Sequence, residues 1–600
     1  MKIPLFAVAL MLATSLWAVS PARTVRAGET GPEGTIAFSL LAPRGWDVYT
    51  IDVESRASRR LTDHPALDFN PAFAPGGDRV AFVSERDGNA ELYAVGMDGS
   101  GLRRLTREFA LDDRPAWSSD GRWIAFSSTR QPSEPPGRAW NAVYVMGADG
   151  TDPRRVSPTG VADYSPAWSP RGDLIACASG SGEAGGTELI VMAPDGSGRR
   201  RVVEDGGWPC FAADGRTLFF HGRRDGKWAV WRVGVDGKGL ERITPTGVDA
   251  YCPAASADGR RLVATVDRGG HRQIVLIDLA TSKVTDLTDE ETDHWNPAIT
   301  ADGRSVAFHK ASPGTAAPNV EPWGAPPGTG LRLLRLAGAF PAFSPDGAKV
   351  ALTGGNFARL DVMNVDGSAR KTIHSGDARA LFSLSWAHHG DRIAFSKGPV
   401  FQGPGGKVEI LTVRPDGSEP EEITHDSAND GFPSFSPDGK QIVFRSGRGG
   451  KKNLHVMDAD GSNVRRLTDG DWTDTMCDWS PTGEWIAFAS DRGGDFEIWL
   501  VRTDGTGLRK LVGGSRNNHP HFSPDGRWIV FTSKRAGFSA EVASLPDQPQ
   551  PYGDLFAIRL DGTGLIRLTH NGFEEGTPAW GPKVEGEASS EGVRGTHEDY

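Results

Sequence analysis

The chain is poor in cysteine: Cys177, Cys210, Cys252 and Cys477 are the four among 600 residues. That excludes a scaffold built on disulfides. Cys210 and Cys252 sit at nearly equivalent places in adjacent repeats, where either a bridge or two neighbouring free thiols is open. Positive charge is also short. Lys and Arg number 66 against 77 Asp and Glu, a formal charge of −11. Loss of residues 1–27 would remove Lys2, Arg23 and Arg26 and no acid, moving −11 by three to −14. A phosphate backbone demands a basic footprint, so nucleic acid is excluded as a partner. After Val19 no apolar run approaches the roughly 20 residues that cross a bilayer, so no membrane span is expected. The sequence also lacks G-x-S-x-G, H-E-x-x-H and G-x-x-x-x-G-K-[ST]. It therefore offers no nucleophile elbow, zinc-protease helix or phosphate loop, and no cofactor is expected.

What is present begins with a leader. Lys2 precedes an apolar run from Ile3 to Val19 and then small residues, the layout of a cleavable signal peptide. Cleavage after Ala27, or after Ala22, would leave a monomeric protein in the periplasm or outside the cell.

One phrase then recurs. Pro71-Ala-Phe-Ala-Pro-Gly-Gly returns as Pro115-Ala-Trp-Ser-Ser-Asp-Gly and Pro166-Ala-Trp-Ser-Pro-Arg-Gly, with further copies from Pro209, Pro253, Pro297, Pro341, Leu384, Pro433, Cys477, Pro520 and Pro578. The spacing is mostly 43 or 44 residues, as from Pro71 to Pro115 and from Cys477 to Pro520. That period belongs to four-stranded propeller blades. In one copy, Pro433-Ser-Phe-Ser reads as a first strand and Ser436-Pro437-Asp438-Gly439 as a type I turn. Gln441-Ile-Val-Phe-Arg and Asn453-Leu-His-Val-Met follow as strands, and Asp460-Gly461 is a hairpin signal. The last strand carries Arg465 and Arg466, suited to an exposed sheet edge.

These repeats resemble those of TolB-type propellers, relatives of the WD-repeat family. The resemblance runs from about Gly34 to Trp580 and implies an all-β fold of tandem β-propellers. It does not imply one function, since scaffolds, peptidase domains and lyases share the repeat. TolB proteins carry an α/β domain before the propeller, whereas here Thr35-Ile-Ala-Phe-Ser begins almost at the cleavage site. Twelve first strands and twelve sets of later strands predict two six-bladed rings, with seven plus five as the alternative. The expected boundaries are 34–304 and 305–580, with a Pro- and Gly-rich insert at 312–330 as a protease-sensitive junction and an acidic flexible tail at 581–600.

Three intervals are long, 51 residues from Pro115 to Pro166, 49 from Leu384 to Pro433 and 58 from Pro520 to Pro578. Their extra residues fall between second and third strands, on the face opposite the tight Asp-Gly turns. Binding residues gather on such loops. Phe538, Leu545 and Tyr552, with Trp140 and Phe401 on similar loops, are thus candidate contacts for an envelope or extracellular protein, peptide or glycan. Asp68, Asp112, Asp163, Asp430 and Asp474 recur three positions before the first-strand Pro or its equivalent and would circle the channel mouths. They are either a cation-binding ring or turn-forming acids, and arginines such as Arg86, Arg130, Arg448 and Arg492 on the same face are placed to pair with acids of neighbouring blades. His519 and His521 alternate on a strand and are weak metal candidates, because propeller oligogalacturonate lyases, which resemble this chain, use axial histidines around a metal. The expectation is a non-enzymatic exported scaffold; the alternative is a propeller lyase or hydrolase acting at a channel mouth.

Overall fold

The computed structural model describes residues 31–41, 45–130, 141–180, 187–224, 226–312, 318–377, 379–388, 391–399, 406–426, 428–536, 553–570 and 574–583. Within them the chain forms twelve four-stranded sheets and a single 3-10 turn, Lys534–Ala536. The blade that starts with Asp68–Phe73 shows the repeat. Its second strand, Arg79–Ser84, is buried at every residue after the first. Its last strand, Arg103–Arg104, is short, charged and largely exposed, which keeps the outer edge from pairing with other chains. The hairpin before that strand is fixed by Asp98, which accepts from the N–H and hydroxyl of Ser100 at 2.9 and 2.7 Å. Asp149 with Thr151, Asp366 with Ser368 and Asp504 with Thr506 repeat the device. These bonds, the hydroxyl's first, hold all four carboxyls below their ordinary pKa.

The innermost strands touch in two closed cycles of six. One joins Asp68–Phe73, Asp112–Trp117, Ala162–Trp168, Gly207–Phe211, Ala250–Ala255 and His294–Ile299. The other joins Ala339–Phe343, Ala380–Trp386, Gly431–Phe435, Asp474–Trp479, Asn517–Phe522 and Glu574–Gly581. Their closing blades differ from the expected boundaries. In the first ring, His294–Ile299 and Ser305–Ala311 are completed by Trp46–Asp52 and Ser58–Arg60. The strand Glu33–Leu41 instead enters the second ring, where it pairs antiparallel with Glu574–Gly581 and parallel with Gly330–Leu336. Boundaries at 34–304 and 305–580 are therefore corrected, since the first strand of the chain belongs to the far ring and Ser305–Ala311 to the near one.

The parallel pair has a geometric cause. After Ala311 the chain passes first to the outermost position, Val320–Trp323, then inward to Gly330–Leu336, and after two intervening residues starts the next blade at Ala339. Strand Gly330–Leu336 must end where first strands begin, and second strands also end there. The stretch 312–330 accordingly contains a strand rather than a bare linker.

The rings meet over one apolar cluster that includes Phe38, Trp323 and Leu333 of the second ring with Ala90, Leu92 and Leu111 of the first. Gly88 and Gly324 touch backbone to backbone, with Gly324 N–H donating to Gly88 O at 3.2 Å. A Cβ on Gly88, whose φ is +91°, would lie 2.1 Å from the Gly324 nitrogen, so this position requires glycine. Beside it, buried Arg335 lies 3.5 Å from Glu85 and 3.2 Å from Glu321.

Candidate functional site: the second-ring channel

Each first strand carries a one-residue bulge whose φ is positive. The bulge residues are Asn70, Arg114, Ser165, Trp208, Cys252 and Asn296 in the first ring. In the second they are Phe340, Ser383, Phe432, Met476, His519 and Thr577. None is glycine, so the ring contacts must hold a conformation that L-residues avoid. Part of the hold is visible: in four blades the bulge N–H donates to a side chain on the second strand of the preceding blade. Asn70 donates to His309 Nδ1 at 3.4 Å, Ser165 to Ser127 Oγ at 3.0 Å, Cys252 to His221 Nδ1 at 3.2 Å, and Phe432 to Ser396 Oγ at 2.9 Å.

The bulges fill the two channels with different chemistry. In the first ring, Asn296 donates to Asn70 and Asn70 to Asp113, both at 2.6 Å. Arg114 continues the chain to Ser165 at 2.6 Å and stacks over Trp208 at 3.7 Å. The second channel is closed at the same level by rings: Phe340 lies 6.0 Å from Phe382 and 5.8 Å from His519, and Phe382 5.6 Å from Phe432. Burial pushes His519 down to about 3, so it is neutral there.

Two residues further along each first strand the rings diverge again. The first ring has Ala72, Ala116, Ala167, Cys210, Ala254 and Ala298. The second has Ala342, Ser385, Ser434, Asp478, His521 and Ala579, which sets four polar groups on four consecutive blades. Each takes a backbone N–H from the next blade: Ser385 from Phe435 at 3.1 Å, Ser434 from Trp479 at 3.0 Å, Asp478 from Phe522 at 2.8 Å, and His521 from Trp580 at 3.3 Å. Ser434 also donates to Asp478 Oδ1 at 3.0 Å, and His521 Nδ1 lies 3.7 Å from Asp478 Oδ2. His521 Nε2 has no protein partner among the described residues.

Both channels widen into cavities, about 290 Å³ in the second ring and about 280 Å³ in the first. The second cavity is lined by the polar arc and reaches the first-to-second turns at Pro345, His388, Pro481 and Pro524. The cavities thus open on the tight-turn face, not on the loop face expected to carry function. The reason is local: the bulge side chains close each channel near the loop-face end of the first strands.

The expected site residues fare unequally. Phe538, Leu545, Tyr552, Trp140 and Phe401, like the leader at 1–27, lie outside the described residues. Asp68, Asp112, Asp163, Asp430 and Asp474 are described, and they do not form an open acidic ring. All are buried and paired, with Arg86 at 2.9 Å, Arg130 at 2.5 Å, Arg199 at 2.8 Å, Arg448 at 2.8 Å and Arg492 at 2.8 Å. The partners come from the same blade rather than from neighbours. A cation at the mouth would have to displace these guanidinium groups from carboxylates that water cannot reach.

His519 and His521 both line the second cavity but at successive levels, because the bulge places His519 against Phe340 and Phe432. Among the described residues no group of three His, Cys, Asp or Glu is placed to hold a metal. Cys210 and Cys252 are free thiols. Among the same residues no helix is long and apolar enough to cross a membrane.

Comparison with known proteins finds relatives of parts of the chain. An uncharacterized protein of Agrobacterium fabrum is 30% identical over 116 residues, 19% of this chain and 39% of its own length. A Protein TolB homolog of Chlorobium luteolum is 34% identical over 59 residues, 10% of this chain and 14% of its own. The chain thus spans well under half the length of either relative. Among solved structures, a protein of Agrobacterium tumefaciens provisionally assigned as TolB is 23% identical, with TM-score 0.38, covering 45% of this chain and all of its own. An oligogalacturonate lyase of Vibrio parahaemolyticus is 15% identical, with TM-score 0.29, covering 59% and 85%. The family model of the TolB beta propeller domain matches residues 29–205 and 353–551, more than half of the sequence. With its repeated first-strand phrase folded into four-stranded blades, the chain belongs to the TolB beta propeller domain family.

Proposed function

We propose that the chain is an exported, non-enzymatic binding protein that takes a peptide or glycan end into the second-ring channel through Ser385, Ser434, Asp478 and His521. The observation that carries this reading is the contrast between rings. The first ring closes with alanine at five of the six equivalent positions and cysteine at the other, so the fold does not demand the polar arc. A carboxylate, two hydroxyls and an imidazole suit the amine and hydroxyl donors of a peptide or sugar. Binding is favoured over hydrolysis because Ser434 donates to Asp478, whose other oxygen accepts the Phe522 N–H, and not to an imidazole, so no serine–histidine pair is set up. Export rests on the basic start, apolar run and small residues of 1–27, and N-terminal sequencing of the secreted protein should begin at Gly28 or Arg23.

The test compares capture from an envelope extract by the full chain, by Ser434→Phe, which fills the cavity, and by a chain with residues 537–552 replaced by a Gly-Ser turn. Ser434→Phe should lose at least tenfold of the recovered partner with unchanged thermal unfolding. Full recovery by Ser434→Phe, with loss on the loop replacement, would move the site to the loop face and to Phe538, Leu545 and Tyr552.

A further inference from the structure

Arg445 differs from the paired arginines of the blades. It lies on Gln441–Gly449 and is only 8% exposed. Its guanidinium sits 4.8 Å over the Phe432 ring and bonds to Asn429 Oδ1. Its Nε is buried without a partner, and it has no ion pair among the described residues. Buried charges are ordinarily paired, and this cation has only the more distant charge of Asp430 to balance it.

The strand register shows what stands around it. Arg445 is opposite Gly431, the residue before its own bulge. Ser127, His221, His309 and Ser396 hold the same register in their blades. Each of those four accepts the bulge N–H of the next blade. A guanidinium can only donate, so the register position that accepts in those four blades carries a donor here, in the blade before the Met476 bulge. Thr475, just before that bulge, has a buried hydroxyl without a partner. Lys452 lies on the same face of the adjoining strand Lys451–Asp458, and its amine has no partner among the described residues. Burial, with the charge of Arg445 behind it, depresses the Lys452 pKa. The nearby carboxylates Asp426 and Asp430 are both held by Arg448 at 2.8 Å. Three cations thus stand against two carboxylates, leaving one cation in surplus, although Asp430 Oδ1 is also buried without a hydrogen bond and the Thr475 hydroxyl can accept as well as donate.

We propose that Arg445 and Lys452, with the Thr475 hydroxyl and the Met476 N–H, form an oxyanion site between the Gly431 and Asp474 blades, taking a carboxylate or a phosphate group. The site lies toward the loop-face end of the second ring, on the far side of Phe432 from the cavity, and does not depend on what occupies the polar arc. Charge-assisted bonds from a guanidinium and an ammonium are the usual means of holding such groups.

The test is thermal unfolding of the full chain in rising inorganic phosphate and, separately, rising acetate, with ionic strength held constant by sodium chloride. The wild-type midpoint should rise and saturate with at least one of them. Lys452→Gln should need at least tenfold more anion for the same rise. Arg445→Met should lose the saturable response while its midpoint without anion stays at or above wild type, because it sheds an unpaired buried cation. A rise with acetate assigns the site to carboxylate ends, and a rise with phosphate alone to phosphorylated ligands. No rise in wild type, or the same rise in wild type and Lys452→Gln, would overturn the proposal, and Lys452→Gln decides alone if Arg445→Met does not fold.

Discussion

Replacing Glu85→Gln should make the protein less sensitive to rising pH. Glu85 is fully buried where the two rings meet, and neither of its oxygens accepts a hydrogen bond. Burial pushes its pKa from 4.5 up to about 7, with Arg335 pulling the other way. An acid with a higher pKa folded than unfolded binds more protons folded between those two values. Stability from this group is therefore greatest below 4.5, falls as pH rises toward 7, and levels off above. At roughly 1.4 kcal/mol per pH unit, the interval from 4.5 to about 7 is worth about 3 kcal/mol. Most of it, roughly 2.5 kcal/mol, falls between pH 5 and pH 8. Glutamine keeps the shape and removes the titration. Urea unfolding of wild type and Glu85→Gln at both pH values should show the difference between them moving by that amount in favour of the variant at pH 8. A pH-independent difference would refute the reasoning, and would mean that Arg335 keeps Glu85 ionised at ordinary cost.

Other perturbations probe the same architecture. Gly88→Ala should cost at least about 2 kcal/mol in urea unfolding, from the left-handed backbone and from the clash with Gly324. Asp474→Ala leaves Arg492 buried without its carboxylate and should cost about 3–5 kcal/mol, with partner capture unchanged once the fold is verified. A protease site placed within residues 313–317 should yield two fragments that co-elute until denaturant is added, because Glu33–Leu41 stays paired in the far ring.

The blades were legible because their turns are written in residues: Pro, Asp and Gly stand where the backbone needs them, and buried second strands read as apolar runs. The destination of Glu33–Leu41 was not, since Ile36 and Phe38 would suit the second strand of any blade. The stretch 320–336 hides two strands inside a Pro- and Gly-rich segment, whose composition says junction while its pairing is decided by a strand more than 290 residues earlier. The bulges leave no local mark either, because Asn, Arg, Trp, Phe, Met and His at these positions share no glycine signal for positive φ. The polar arc, by contrast, was present in the aligned repeats. The residue after the first-strand Pro, or after its equivalents Leu384 and Cys477, is Ala in seven of twelve copies, and Ser385, Ser434, Asp478 and His521 are four successive copies among the last six. It was obscured because each alone is an unremarkable strand residue. The acidic series misled for a different reason: spacing shows that Asp68 and its counterparts recur, but only packing shows that a guanidinium already occupies each.

The exchange of Glu33–Leu41 sets an order of events in time. The strand leaves the ribosome long before its partner Glu574–Gly581, and Ser39 bonds to Gly576 across 537 residues of chain. The first ring can close once Ala311 has emerged, while the earliest strand waits with both edges bare. Such an edge is a template for wrong partners, and the wait lengthens with everything made in between. An exported chain that is threaded unfolded and released at once would shorten the interval during which that strand is alone. The second ring then acts as a clasp that fastens only once Glu574–Gly581 has been made.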